Sequence, residues 1–183
     1  MVEFPAAFLA AAKITLGQEG AELDLTRADK GNWTGGEVGI GILKGSKYGI
    51  SAAAYPEVDI ADLDWPGALG IYYTDYWIKV RCDEVPPVVA MALFDAAINN
   101  GRYNAVKFLQ AALDVREDGA FGPITMRVAL QAEPVALAKA LHQSRARYMI
   151  HLDYWGHFAD GWEDRLAGLP WDIMQAVKDL PGG

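Results

Sequence analysis

The stretch PPVVAMALFDAAINNG, at positions 86–101, decides the fold. Its two prolines suit the first turn of a helix, where the N–H that proline lacks would have no intrahelical partner. The residues that follow are dense in Ala and Val, and the Asn-Asn-Gly sequence at 99–101 ends the helical pattern. We therefore expect residues 88–99 to form the central helix of the protein.

Helices are also expected on both sides of this stretch. Before it, apolar residues recur every four positions, which predicts an amphipathic helix over residues 4–18 that Gly20 terminates. After the first helix, Asp64 is a suitable cap for a helix over residues 65–77. Downstream, apolar spacing and prolines at helix starts predict helices over 103–113, from Pro123, and from Pro134 to about Leu152, with two short segments after them.

Residues 21–51 differ from the rest, because glycine recurs through them and no helical periodicity survives. Short strands are expected at 38–43 and 48–50, with turns between them. A glycine-rich span of this length inside a compact domain usually carries function. We therefore expect a small lobe of strands and loops here.

Composition excludes several classes of protein. The chain has 183 residues, with 16 Lys and Arg against 24 Asp and Glu, and a formal net charge of −8. Its 52% hydrophobic and 22% charged residues are typical of a globular protein rather than a disordered one. No nucleic-acid binding is expected, since phosphate neutralisation requires a basic face. The lone Cys82 cannot form an internal disulfide and is expected to be a buried apolar residue.

The first residues, MVEFPAAFLAAAKITLG, do not satisfy the pattern of a signal peptide. They have no basic region before the apolar run, and Glu3 and Lys13 interrupt it. No stretch reaches the about 20 apolar residues of a membrane span. We expect a protein made in the cytoplasm, without a signal peptide and without stable membrane insertion.

Glu19 is the residue at which acid chemistry is expected. At the end of the first helix, the negative end of the helix dipole would raise the pKa of its carboxyl group and hold its proton. A glutamic acid that is protonated near neutral pH is what a glycosidase needs to protonate the leaving sugar oxygen. Asp24 and Asp29 in the following loop are candidate partner carboxylates, with Thr34 after them. A Glu followed by an Asp and then a Thr is similar to the arrangement in phage-type lysozymes, in which the Asp and Thr position or activate water.

Several motifs resemble glycoside hydrolase family 108, whose members are peptidoglycan-cleaving lysozymes and often phage endolysins. They are LGQEG at 16–20, WTGGEVGIGILKGSKYGISAAAYP at 33–56, IYYTDYW at 71–77 and FDAAINNG at 94–101. The family signature is Glu-Gly-Gly-Tyr, and here it reads Glu19-Gly20-Ala21-Glu22, so its last two positions depart. The resemblance implies that Glu19 is the catalytic acid, and the departure removes one aromatic contact. The segment FLQAALDVREDGAFGPITMRVAL at 108–130 resembles the C-terminal peptidoglycan-binding domain of the family.

Four further residues are candidate substrate contacts. Tyr48 and Ser51 match a segment that the resemblance places in the cleft, where Tyr48 would stack on a sugar. Asp95 and Asn99 lie four positions apart and so face one way on the central helix. That face either closes the floor of the cleft or ties down neighbouring backbone.

We therefore expect a mainly α protein, with a lysozyme-like α+β domain and small β/loop lobe at 1–90 and a packed helical peptidoglycan-binding domain at 91–183. The expected reaction is hydrolysis of the β-1,4 bond between N-acetylmuramic acid and N-acetylglucosamine. It needs no cofactor or metal, and His151 and His157 are six apart with no third ligand evident. The resemblance implies a monomeric endolysin that reaches the cell wall with a holin-type release system. Two alternatives stay open: a lytic transglycosylase that uses the same Glu, and a non-catalytic wall-binding or tail protein.

Overall fold

The computed structural model describes residues 3–17, 20–151 and 155–181, and for 155–166 the backbone alone. The described residues divide into two compact units. We call Met1–Thr15 with Tyr73–Gly183 the helical unit, and Leu16–Tyr72 the loop unit. The fold is mainly α with a small β/loop lobe, as the sequence predicts.

Prolines and glycines mark most of the helix boundaries in the described residues. The helices are α1 (Ala6–Leu16), α2 (Trp65–Tyr72), α3 (Pro87–Asn100), α4 (Arg102–Ala112), α5 (Pro123–Gln131), α6 (Pro134–Met149) and α7 (Trp155–Lys178). A π-helical turn, Tyr73–Trp77, continues α2, and 3-10 helices lie at Lys30–Asn32 and Cys82–Glu84. The helix starts predicted at the prolines of α3, α5 and α6 are confirmed.

α3 is the core of the helical unit. Ten of its 14 residues are buried, and Leu93 and Phe94 are fully enclosed. It packs against α4 and α6, which confirms the prediction of a central helix. Cys82 is also buried, as expected, and burial raises the pKa of its thiol well above the ordinary value.

α1 joins this core through an aromatic cluster. The ring of Phe8 packs edge-on against Tyr73, Trp77 and Phe94, with ring centroids 5.0–5.6 Å apart. The helix ends at Leu16, earlier than predicted, because the next residue, Gly17, takes a left-handed conformation with φ 61°. Gly20 is therefore not the terminator of this helix. Glu19 lies outside the described residues.

The C-terminal part differs from the prediction of two short segments. α7 is one helix of 24 residues that contains Pro170, although proline lacks the N–H for an interior helical bond. Leu169 and Ile173, on either side of the proline, are buried, and this packing holds the helix together. In the part of the chain that the structure describes, no helix has both the length and the apolar character needed to cross a membrane.

The loop unit is held together largely by backbone hydrogen bonds. Its strands are β1 (Ser46–Lys47) and β2 (Ile50–Ser51), antiparallel, with Ser46 opposite Ser51. No strand forms over 38–43. Three glycines in or beside that segment, Gly36, Gly39 and Gly41, have φ between 73° and 82°, which a strand does not allow. The chain closes there into a loop, in which the amide of Gly35 donates to the carbonyl of Ile40 at 3.1 Å.

The division into domains at 1–90 and 91–183 stays a prediction. α3 runs across position 90 without interruption, and the loop unit is inserted between two segments of the helical unit.

Candidate active site

The turn between β1 and β2 is the centre of the candidate site. The amide of Tyr48 in this turn donates a 2.6 Å hydrogen bond to the carbonyl of Gly20. Gly20 has φ 75°, and a Cβ on it would lie 3.6 Å from the Tyr48 nitrogen. Because Gly20 follows Glu19 directly, the backbone beside the expected acid is held against this turn. The role of Glu19 itself stays a prediction.

Tyr48 is held in an unusual conformation by its neighbours. Its φ of 54° is rare for a bulky residue. Its carbonyl accepts a 2.8 Å hydrogen bond from the hydroxyl of Tyr72, and its ring packs on Trp65 with centroids 5.5 Å apart. The Lys47 ammonium lies 5.4 Å from the centre of the same ring. The ring is only half-buried, so an aromatic edge is accessible, and the proposed stacking on a sugar stays a prediction.

Asp24 is the best-defined carboxylate of the loop unit. Its Oδ1 accepts hydrogen bonds from the hydroxyl of Thr26 at 2.6 Å and from the Thr26 amide at 2.8 Å. Its Oδ2 accepts from the side-chain amide of Asn32 at 3.3 Å. These bonds, the Thr26 hydroxyl first, lower the pKa of Asp24 below its ordinary value. Asp24 therefore carries a fixed negative charge, and it also pairs with Ser46 of β1 through two backbone bonds.

Asn32 is a residue that the sequence analysis missed. It is fully buried, and besides Asp24 its amide donates to the carbonyl of Thr26 at 3.1 Å. Its backbone carbonyl accepts from the amides of Lys44 and Gly45. The side chain and the backbone of this one residue thus join three parts of the loop unit. An Asn in a glycine-rich loop gives no sequence signal of such burial.

Asp29 caps the 3-10 helix Lys30–Asn32. Its Oδ1 accepts a 2.8 Å hydrogen bond from the amide of Gly31, and the side chain is exposed. The carbonyl of Gly31 accepts from Ala53, and a Cβ on Gly31 would lie 3.2 Å from Asp29 Oδ1 and 3.8 Å from Ser51 Cβ. The structure therefore brings Asp29 and Ser51 into the same part of the loop unit. Their contact with substrate stays a prediction.

Thr34 closes the loop that contains Gly36, Gly39 and Gly41, which we call the glycine loop. Its hydroxyl oxygen accepts a 2.8 Å hydrogen bond from the amide of Ile42, and its own amide donates to the carbonyl of Ile42 at 3.0 Å. A hydroxyl that accepts one bond still has its proton to donate. The expected sharing of a water with Asp29 stays a prediction.

Asp95 and Asn99 make structural contacts in the helical unit, the first to another helix and the second to the backbone of its own helix. The Asp95 carboxylate is fully buried and forms an ion pair of 2.5 Å with Arg145 of α6. Asn99 is exposed, and its amide donates to the carbonyl of Asp95 at 2.8 Å. Of the two interpretations of this face, the geometry favours the one in which it ties down its neighbours. A substrate contact by Asp95 would require its carboxylate to leave the ion pair.

The Asp-Gly turn before α5 is built on a second buried amide that the sequence analysis missed. Gln110 donates to Asp118 at 2.8 Å and to the carbonyl of Ala120 at 3.0 Å, and accepts from the Gly119 amide at 2.8 Å. The Ala120 amide and Gln110 lower the pKa of Asp118.

In the described part of the chain, no group of three or more His, Cys, Asp or Glu side chains is placed to hold a metal.

Comparison with known proteins defines the class of this one. Residues 104–167 match the family model described as Predicted Peptidoglycan domain, and residues 12–101 match the model Glycosyl hydrolase 108. The protein is therefore a glycoside hydrolase with a lysozyme-like role, and peptidoglycan is its partner. The resemblance to glycoside hydrolase family 108 and to its peptidoglycan-binding domain is thereby confirmed for these two segments.

The solved structure of Brucella abortus SagA is similar over most of its length. It aligns with a TM-score of 0.73 and 24% identity, and the match covers 94% of this chain and 96% of that one. At this identity the likeness shows a shared fold. The comparison with curated proteins found no match.

Proposed function

We propose that this protein is an N-acetylmuramidase that hydrolyses the β-1,4 bond between N-acetylmuramic acid and N-acetylglucosamine, with Glu19 as the general acid. The observation that carries the proposal is the hydrogen bond from the Tyr48 amide to the Gly20 carbonyl, which holds the residue after Glu19 against the turn that carries the half-buried Tyr48 ring. The match to the glycosidase family includes this whole segment.

The proposed reaction uses two carboxyl groups. Glu19 donates its proton to the glycosidic oxygen as the bond to the muramic acid C1 breaks, and positive charge develops on the ring oxygen and C1. Water adds to C1 from the other face, and Asp29 takes its proton while Thr34 orients it. The fixed charge of Asp24 in the same unit favours the cationic transition state.

The test is the substitution Glu19→Gln, with Glu22→Gln as the matched control three residues along. A Gln amide has no proton to give, and general acid catalysis contributes about 10²–10⁴ in rate. Clearing of purified sacculi should therefore fall by at least a hundredfold, while the circular dichroism spectrum and sacculus binding are unchanged. Activity of Glu19→Gln above a few per cent of wild type would remove Glu19 from the role.

The products distinguish the proposal from its alternatives. Mass spectrometry of digested peptidoglycan should show hydrated reducing ends on the muramic acid. Anhydromuramic products would identify a lytic transglycosylase that uses the same Glu. Binding to sacculi without any cleavage would identify a wall-binding or tail protein.

We also propose that the protein acts as a monomer on the cell wall after synthesis in the cytoplasm, with release by a holin-type system. Its support is the resemblance to phage-type endolysins. Expression in a bacterial host should cause lysis only after an added agent permeabilises the inner membrane, and lysis without such an agent would contradict the proposed route.

A further inference from the structure

A groove in the helical unit lies inside the segment that matches the peptidoglycan domain. Its volume is about 320 Å³, which is within the usual range for ligand sites. Six of the residues that line it have polar side chains: Asn104, Lys107, Glu117, Ser144, Arg147 and Tyr148. None of them belongs to the candidate active site.

Two packed helices form the walls of the groove. Asn104 and Lys107 lie three apart on one face of α4, and Ser144, Arg147 and Tyr148 lie on one face of α6. The ring of Tyr148 packs on Phe108 of α4 with centroids 5.2 Å apart. The groove therefore has rigid walls, a requirement for specific binding.

The groove carries charges of both signs. Lys107 is held 5.8 Å from the centre of the Tyr103 ring, and Arg147 donates to the hydroxyl of Ser144 at 3.3 Å. Among the described residues, neither cation forms a salt bridge. Glu117, on the loop after α4, adds one carboxylate. Two cations beside one anion are complementary to a zwitterion.

We propose that this groove binds the stem peptide of peptidoglycan, an inference that rests on the proposed action on the cell wall. Lys107 and Arg147 would bind a carboxylate of the stem, and Glu117 would bind the free amine of its diamino residue. Asn104 and the Tyr148 hydroxyl would face the peptide amides. A neutral glycan strand has no charged groups for these side chains, and Glu117 would repel the phosphates of an anionic wall polymer.

The first test measures binding of the free tetrapeptide L-Ala-γ-D-Glu-L-Lys-D-Ala to the full chain by calorimetry. The double variant Lys107→Ala/Arg147→Ala should weaken binding at least tenfold, because it removes both groups that receive the carboxylate. Lys139→Ala, an exposed cation of α6 outside the groove, is the matched control and should bind as wild type. Unchanged affinity in the double variant would overturn the proposal.

The second test separates the two sources of negative charge in a cell wall. Sacculi stripped of phosphate polymers by hydrofluoric acid should still bind the wild type, and the tetrapeptide should compete. Loss of binding on stripping, with no competition by the tetrapeptide, would assign the groove to wall phosphate and overturn the proposal.

The third test keeps this inference separate from the role of Glu19. On intact sacculi the double variant should raise KM with kcat unchanged. Saturating free tetrapeptide should raise the KM of the wild type and leave that of the double variant unchanged, because only the wild type binds it in the groove. A KM of the double variant equal to that of the wild type, or an equal response of both proteins to the tetrapeptide, would overturn the groove assignment. Failure of the Glu19 proposal would appear instead as activity in Glu19→Gln with tetrapeptide binding intact.

Discussion

The hydroxyl of Tyr72 donates a 2.8 Å hydrogen bond to the carbonyl of Tyr48, and the same oxygen occupies the space beside Gly49. A Cβ on Gly49 would lie 2.6 Å from it. The left-handed turn that holds Gly20 therefore depends on one side chain of α2. A substitution of Tyr72 or of Gly49 should therefore alter the backbone beside Glu19.

The first prediction is that Gly49→Ala and Tyr72→Phe are coupled. Gly49→Ala should destabilise by about 2–4 kcal/mol, because it adds the clash to the cost of a left-handed residue. Tyr72→Phe should cost about 1 kcal/mol for the lost hydrogen bond. In the double variant the clash is relieved. The loss of unfolding free energy, measured by urea unfolding, should therefore be about 1 kcal/mol smaller than the sum of the losses in the two single variants. Strict additivity would show that the hydroxyl does not restrict the turn.

The second prediction concerns the buried ion pair of Asp95 and Arg145. Asp95→Asn replaces the charged partner of the buried Arg145 guanidinium by a neutral one, which should cost about 3–5 kcal/mol and lower Tm by roughly 10 °C. The control is the exposed pair of Arg81 and Glu84, in which Glu84→Gln should cost less than about 1 kcal/mol. Calorimetry measures both, and equal effects would contradict the prediction.

The third prediction is that Asp29→Asn separates catalysis from structure. The Asn oxygen can still accept from the Gly31 amide, so the cap and the Tm should be preserved. The rate should fall at least tenfold, because an amide cannot take a proton from water. Asp59→Asn is the matched control, since Asp59 also accepts from a backbone amide two residues on. Full activity in Asp29→Asn would move the role to Asp24, the other candidate carboxylate of this loop.

If Asp29 acts on water, the product should have an inverted anomeric configuration. NMR of the first product formed distinguishes the outcomes, because a nucleophilic carboxylate would give retention. Retention would contradict the base role of Asp29 while leaving Glu19 as the acid.

The fourth prediction is a pH dependence of stability at Asp24. Its pKa in the folded protein lies below the ordinary value that it regains on unfolding, so its ionised form stabilises the fold above that ordinary value. The contribution is lost as the pH falls through the lowered pKa. The stability difference between wild type and Asp24→Asn should therefore shrink on going from pH 6 to pH 3 in urea unfolding. Asp62→Asn is the comparison, because Asp62 is exposed in the same unit. If the stability difference between wild type and Asp24→Asn grows on acidification, the prediction is wrong.

The fifth prediction is that Gln110→Leu destabilises the helical unit by about 1–3 kcal/mol. The apolar side chain would leave the Gly119 amide without its acceptor and would remove one of the two donors to the Ala120 carbonyl. Gln143→Leu, on the exposed side of α6, should change stability by less than about 0.5 kcal/mol. Similar effects of the two substitutions would show that the turn finds other partners.

The helical part of the fold could be predicted from the sequence because its determinants are local. The prolines at the starts of α3, α5 and α6 and the apolar spacing of α4 specify these helices within a few residues. The continuity of α7 could not be predicted, because tertiary packing around Pro170 outweighs its local preference to break a helix.

The residue types of the candidate site could be predicted from the sequence, but the hydrogen bonds that connect its segments could not. Motif spacing indicated Asp29, Thr34 and Tyr48, and all three lie in the loop unit. The side-chain amides of Asn32 and Gln110 form hydrogen bonds to residues 8 to 15 positions away, and no sequence periodicity indicates such contacts. The strand expected at 38–43 does not form, because Gly39 and Gly41 have positive φ angles that a strand does not allow.

The inserted position of the loop unit has a consequence for synthesis on the ribosome. Phe8 emerges early with Phe4, but the other rings that pack on it, Tyr73, Trp77 and Phe94, all come after residue 72 in the chain. At about 5–20 residues per second, α1 spends several seconds with its aromatic face uncovered while the loop unit is made. The loop unit can close its own hydrogen bonds in that interval. We therefore expect nascent chains stalled before Tyr73 to expose the α1 face to chaperones, and longer chains to lose that exposure once α3 has emerged.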